Sequence, residues 1–222
     1  MILCEDLRFS YPGDAFDLRI ERFAVAAGET VALVGASGCG KTTLINLISG
    51  ILTPKSGKVT VDSVELSAEP FAARQRFRIE RIGLVPQSFE LLDYLTVREN
   101  LLVPFRVSSA LRLSPGAMAR CGELAERAGI AAQLDKFPGQ LSQGERQRAA
   151  LCRGLATSPR LLLADEPTGN LDPDNQDRVV SLLLDEAGRI GATVLMITHD
   201  PVLLPRFDRV VDVLALRKGG RA

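Results

Sequence analysis

The run Gly35-Ala36-Ser37-Gly38-Cys39-Gly40-Lys41-Thr42-Thr43 carries the sharpest chemical signal in the chain. It fits the pattern G-x-x-x-x-G-K-[ST]. Glycines at these spacings let backbone N–H groups curl around phosphate oxygens without a side-chain clash. A helix opening at the lysine aims its N-terminus, worth about half a positive charge, at the same oxygens. Lys41 is placed to reach the outer phosphates of a nucleotide, and Thr42 to put its hydroxyl on Mg²⁺. Hydrolysis needs a second metal anchor and a base, and Leu161-Leu162-Leu163-Ala164-Asp165-Glu166 supplies both after an apolar run. Asp165 suits the metal, through water. Glu166 suits polarisation of the attacking water.

The elements around these residues follow from pattern. Residues 30–34 form a short apolar run, read as a buried strand that feeds the glycine loop. Leu44, Ile45, Leu47 and Ile48 then recur at helical spacing, so the order is strand, loop, helix. Leu18, Ile20 and Phe23 suggest short strands about a turn at Tyr11-Pro12-Gly13-Asp14. Val59, Val61 and Val64 suggest a hairpin. Residues 71–81 read as a helix with a solvated basic face, and 82–85 as a strand ended by Pro86. Helical patterns at 96–107 and 116–129 indicate a helical lobe inserted in the sheet domain. Strands return at 161–164 and 193–198, flanking an amphipathic helix at 173–190 that opens on a proline and stops near Gly191. That βαβ unit implies a parallel sheet.

Composition narrows the function. The 222 residues carry 27 Lys+Arg and 27 Asp+Glu. Zero net charge argues against a generic nucleic-acid binder, which is usually basic. No apolar run approaches the roughly 18 residues of a membrane span. Glu5, Asp6 and Arg8 interrupt any signal-peptide core. A cytosolic chain is expected, free to dock on a membrane protein. The four cysteines have no C-x-x-C spacing, so reduced thiols are expected rather than a zinc site. Any imidazole chemistry falls to His199, the single histidine.

Leu141-Ser142-Gln143-Gly144-Glu145 reads locally as a capping box that opens a helix, Ser142 with Glu145. In its place before the acidic strand, it also resembles the signature loop of the nucleotide-binding subunits of ABC (ATP-binding cassette) transporters. The resemblance covers almost the whole chain. Gln87 matches the family's Q-loop, Asn170-Leu171-Asp172 its D-loop, His199 its switch histidine, and Tyr11 its adenine-stacking aromatic. Gln143 stands where the signature usually has glycine, and Glu145 where it usually ends in glutamine. The glutamate variant, with Asp-Glu-Pro-Thr-Gly-Asn-Leu-Asp at 165–172, is similar to the subgroup of lipoprotein release, macrolide-type export and the cell-division complex.

The resemblance implies an α/β fold of the P-loop NTPase (RecA-like) type. It has a mostly parallel sheet core, an N-terminal antiparallel β-subdomain and an inserted α-helical subdomain. One nucleotide-binding domain would span 1–222, with 1–88 and 152–222 as core and β-subdomain and 89–151 as helical subdomain. It implies ATP and Mg²⁺ as ligands. Glu166, His199 and Gln87 would be catalytic, and Thr42, Gln87 and Asp165 would hold the metal. Residues 35–43, Tyr11, Ser142, Gly144, Glu145 and Asp172 would hold nucleotide.

Two copies would form a head-to-tail dimer around two ATPs. No arginine finger is legible, and Ser142 and Gly144 of the other copy would supply the missing donors. Membrane-spanning permease subunits are the implied partners, placing the chain at the cytoplasmic face of the cell membrane. The resemblance puts the docking groove beside the Q-loop and helical lobe, roughly residues 87–105, where Phe89, Leu91, Leu92, Tyr94 and Leu95 are apolar enough to receive a partner helix, or simply to pack the lobe. The function implied is export or membrane extraction. The alternative is an ATP-dependent signalling module of a membrane complex. A DNA-repair or translation ATPase would need long coiled-coil inserts or two fused cassettes, for which 222 residues leave no room.

Overall fold

A computed structural model describes residues 1–13, 16–169 and 171–217. It has two sheets. The first is antiparallel, in the order β2-β1-β4-β5, from β1 (Ile2–Phe9), β2 (Leu18–Val25), β4 (Ser56–Val61) and β5 (Val64–Glu65). The second is parallel, in the order β6-β7-β8-β3-β9. Its strands are β3 (Thr30–Val34), β6 (Ile82–Val85), β7 (Leu161–Asp165), β8 (Thr193–Ile197) and β9 (Arg209–Asp212). The helices are α1 (Lys41–Ile48), α2 (Phe71–Arg81), α3 (Val97–Val107), α4 (Pro115–Arg127), α5 (Gln143–Leu155), α6 (Pro173–Ile190) and α7 (Val213–Arg217).

The parallel strands are apolar on both sides because both faces are covered. Alternation along each strand divides the residues between two cores. Leu162, Ala164, Val194 and Met196 face a core shared with α3, α4, α5 and α6. Leu161, Leu163, Leu195 and Ile197 face a core shared with α1 and the antiparallel sheet. The sheet is therefore the common wall of both cores. The expected α/β fold is the one observed.

Several boundaries moved for local reasons. The helix expected at 116–129 runs from Pro115 to Arg127, because Gly129 turns left-handed at φ 65°. The strand expected to reach Thr198 ends at Ile197. The helix α2 has no buried residue, yet its basic face is not wholly solvated. Arg78 is half-buried and donates to the Ser49 carbonyl, and Arg81 lies 3.9 Å from Asp62. The helix α5 crosses residue 151 without a break.

Parallel pairing has one consequence for chemistry. The carboxyl ends of β3, β6, β7 and β8 all lie on one edge of the sheet. The segments leaving that edge are residues 35–40, Pro86-Gln87, Glu166 and Thr198-His199. A ligand crevice at the carboxyl edge is the rule for such sheets.

Candidate nucleotide site

The loop after β3 needs its glycines for stated reasons. A Cβ on Gly35 would sit 2.8 Å from Cys39 Sγ and 3.2 Å from Asp212 Oδ1. Gly40, the N-cap of α1, has φ 106°, and a Cβ there would meet the Phe16 ring at 3.0 Å. The α1 N-terminus has no side-chain cap and no acid in its first turn. Its orphan N–H groups and positive dipole end therefore face the loop uncompensated. Lys41, only 8% exposed, donates from Nζ to the carbonyls of Gly35 (2.8 Å) and Ala36 (3.2 Å). Its ammonium thus folds back onto the start of the loop.

Thr42 and Thr43 face different neighbours. The Thr42 hydroxyl neighbours the Asp165 carboxylate at the end of β7, and both line one cavity. Burial pushes the Asp165 carboxyl above its ordinary value, and nearby Glu166 adds to this. Thr42 and the Lys41 ammonium pull the other way. Thr43 Oγ1 lies 3.1 Å from the Tyr11 hydroxyl. The Tyr11 ring meets Phe9 edge-on, with centroids 4.9 Å apart, and Phe16 at a tilt, 5.8 Å apart. Tyr11 is 36% exposed, so an aromatic surface flanks the loop.

Glu166 is the point of convergence. Its Oε2 accepts from Gln87 Nε2 at 3.4 Å and lies 3.7 Å from His199 Nδ1. Three segments remote in sequence thus meet at one carboxylate oxygen. Glu166 itself is left-handed, φ 45°. Such a conformation costs about 1–2 kcal/mol in a residue with a side chain and survives only where the surroundings dictate it. A cavity of about 290 Å³ lies beside the group, lined by Thr42, Asn46, Gln87, Ser88, Leu163 and Asp165.

The other expected residues lie apart. Ser142 caps α5: its hydroxyl accepts from Glu145 N, and Glu145 Oε2 accepts from Ser142 N (2.8 Å) and Ser142 Oγ (2.8 Å). Asp172 caps α6 through Asn175. Gly144 packs against Asn175, whose Oδ1 accepts from Arg148 (2.9 Å), so the starts of α5 and α6 are joined. Among the described residues, no hydrogen bond or ion pair links Ser142, Gly144, Glu145 or Asp172 to residues 35–43. Asn170 lies outside the described residues, as does Asp14 of the predicted turn.

Other neighbours of the site were not foreseen. Arg217 reaches the Cys39 carbonyl (3.4 Å) and the Asp17 carbonyl (2.6 Å), tying α7 to the loop. Asn100, fully buried, holds residues 92–96 through four hydrogen bonds. An arginine at a chain end and an asparagine in a helix carry no motif, so nothing in the sequence marks them. An apolar groove next to Gln87 overlaps the expected 87–105 stretch through Glu90, Val103 and Pro104. It is lined by Ile79, Pro86, Val103, Pro104 and Val107, with Arg78 and Arg153 at its polar margin. None of the five expected apolar residues lines it. Leu91 packs against the core instead, and Tyr94 stands exposed.

Fold and site together define a P-loop nucleotide hydrolase with its crevice at the carboxyl edge of the parallel sheet. The profile of the ABC transporter family matches residues 18–169, and the chain belongs to that family. It is a nucleotide-binding subunit of the LolD-like subgroup and an ATPase. It is similar to the lipoprotein-releasing system ATP-binding protein LolD of Cereibacter sphaeroides, 40% identical over 98% of each chain. It is 39% identical to the methionine import ATP-binding protein MetN of Caulobacter vibrioides, over 89% of this chain and 58% of that one. A dimeric structure of the ATP-binding cassette MJ0796 in a post-hydrolysis state, bound to ADP and Pi, superposes with TM-score 0.86. It is 28% identical and matches over 96% of this chain and 94% of that one.

Proposed function

We propose that the chain powers export or membrane extraction of a substrate through a separate membrane-spanning partner, by ATP-driven dimerisation. In this reading it sits peripherally at the cytoplasmic face of the membrane. Residues 1–88 and 152–222 serve as catalytic core and β-subdomain, and 89–151 as helical subdomain. The observation that carries the reading is the meeting of Gln87 and His199 at the Glu166 carboxylate, beside the Asp165–Thr42 pair.

The residues divide the work. Residues 35–43 cradle the phosphates with backbone donors, and Tyr11 offers its ring to the base. Asp165, Thr42 and the Gln87 amide are hard oxygen donors, which suits Mg²⁺. Among the described residues, no three His, Cys, Asp or Glu side chains gather as a metal cage. The remaining ligands would be phosphate and water, as is usual for this ion. Mg²⁺ when bound would neutralise charge on the phosphates. Glu166 accepts the proton side of the attacking water, and Gln87 orients the carboxylate or that water. His199, within reach of the same oxygen, senses the outermost phosphate.

Ser142, Gly144 and Glu145 make no bond to their own glycine loop, and a second copy resolves this. In a two-fold head-to-tail pair, each copy presents its signature loop and Asp172 to the other's nucleotide. The α5 N-terminus then adds donors and dipole from across the interface. The dimeric cassette structure supports such pairing. No described helix is long and apolar enough to cross a membrane. A separate spanning partner supplies the path, and the groove by Pro86, Val103 and Val107 is its docking place. The end-to-end match to LolD supports extraction over import, since MetN is matched over only part of its length.

The test is Glu166→Gln. ATP binding is retained, turnover is lost, and gel filtration shows an ATP-dependent dimer. Absence of that dimer sinks the sandwich reading.

A further inference from the structure

Phe89 and Glu90, just past Gln87, are both left-handed, with φ 60° and 50°. Neither is glycine, asparagine or aspartate, so two adjacent strained residues need an external hold. Their hold comes from α5, more than 60 positions away in sequence. Arg153 donates from one guanidinium nitrogen to the Glu90 carbonyl (2.5 Å) and from another to the Phe89 carbonyl (3.0 Å). Arg146 stands over the Phe89 ring, 5.7 Å from its centroid. The two arginines are seven residues apart, about two helical turns, so they share one face of α5. The loop itself adds a bond from Glu90 N to the Ser88 carbonyl (2.6 Å). The forked grip on two successive carbonyls uses the planar geometry of guanidinium, which an ammonium lacks.

We propose that Arg153 is a positioning residue for hydrolysis: it holds residues 88–90 in their strained form and so sets Gln87 against Glu166. The helix it belongs to begins at Ser142, so a shift of α5 moves Gln87 as well. Arg153 also borders the groove by Pro86 and Val103, and a partner seated there touches the same clamp. The inference rests on the proposed role of Gln87 and Glu166.

The test compares Arg153→Lys, Glu90→Pro, Glu90→Gly and the double variant Arg153→Lys/Glu90→Gly in the full chain. Proline holds φ near −65° and expels Glu90, which is exposed, from the left-handed form. Glycine adopts that form freely. Arg153→Lys and Glu90→Pro are each expected to lower kcat about tenfold, with ATP Kd within about twofold, the size of losing one positioning bond. Amide exchange at Glu90 should accelerate in Arg153→Lys. Adding Glu90→Gly should restore most of the lost kcat, because the loop no longer needs two donors. A purely structural role for Arg153 would show no such rescue. The proposal is overturned if either single variant keeps kcat within twofold, or if the folded double variant is not rescued. Gln87→Ala and Glu166→Gln run alongside. If they keep full activity, the site reading fails; if they are dead while Arg153→Lys is normal, only the clamp fails.

Discussion

At the residue scale, charge and backbone direction divide the site. In the proposed site the phosphates would be met by backbone N–H groups and one ammonium, which a chain of zero net charge can supply as well as a basic one. Lys41 is already held by two loop carbonyls, so its position does not depend on long-range charge. Lys41→Ala removes a charge-assisted contact typically worth about 1.5–3 kcal/mol, hence a rise in ATP Kd of at least about tenfold. Titration with a fluorescent ATP analogue checks it, and unchanged affinity would remove Lys41 from the site. Glu166 behaves differently. Its left-handed backbone and two partners fix its carboxylate in place, so under the proposed role Glu166→Gln should abolish turnover and spare binding.

At the element scale, the start of α5 joins capping to the proposed signature role. The Glu145 carboxyl is held below its ordinary value, first by the Ser142 backbone N–H and then by the Ser142 hydroxyl. Lys136 and Arg148 act in the same direction, and Gln133 donates to its other oxygen (2.8 Å). A lowered carboxyl contributes capping that is complete above its unfolded value, about 4.3, and lost as pH falls through the lower folded one. Amides 142–146 should therefore lose exchange protection as pH falls below about 4.3 and through the lower folded value. Glu145→Gln keeps a neutral box and should lose that pH step. An identical step in both proteins would place the acid sensitivity elsewhere, at Glu99 or Asp172, whose caps are similarly shifted.

At the scale of the whole molecule, one copy carries every residue of the proposed site, but not in one place. The carboxyl edge of the parallel sheet gathers Lys41, Thr42, Asp165, Glu166, Gln87 and His199, while Ser142 and Asp172 stand at the starts of other helices. Head-to-tail pairing predicts complementation. Lys41→Ala and Ser142→Ala proteins are each inactive alone. In an equimolar mixture about half the dimers are mixed, and each mixed dimer has one intact site of two. ATPase activity should then rise toward about a quarter of the native value. A mixture no more active than its components counts against sites shared between copies.

The sequence by itself determined what depends on neighbours along the chain. The glycine loop, the caps at Ser142 and Asp172, the apolar strands and the βαβ unit at 161–197 all follow from short-range rules, and the candidate site residues are read from them. The Gln87–Glu166–His199 meeting had a motif but no visible geometry, because it depends on β6, β7 and β8 being neighbours in the sheet order. Only the tertiary structure decided that order, the joining of Gly144 to Asn175, the reach of Arg217 to Cys39 and the grip of Arg153 on Phe89 and Glu90. Arginine is common on helix surfaces, and a left-handed backbone at Phe or Glu leaves no trace in residue type. These contacts depend on which carbonyls packing brings within 3 Å or so of a guanidinium, a distance set by the whole fold and by no local pattern.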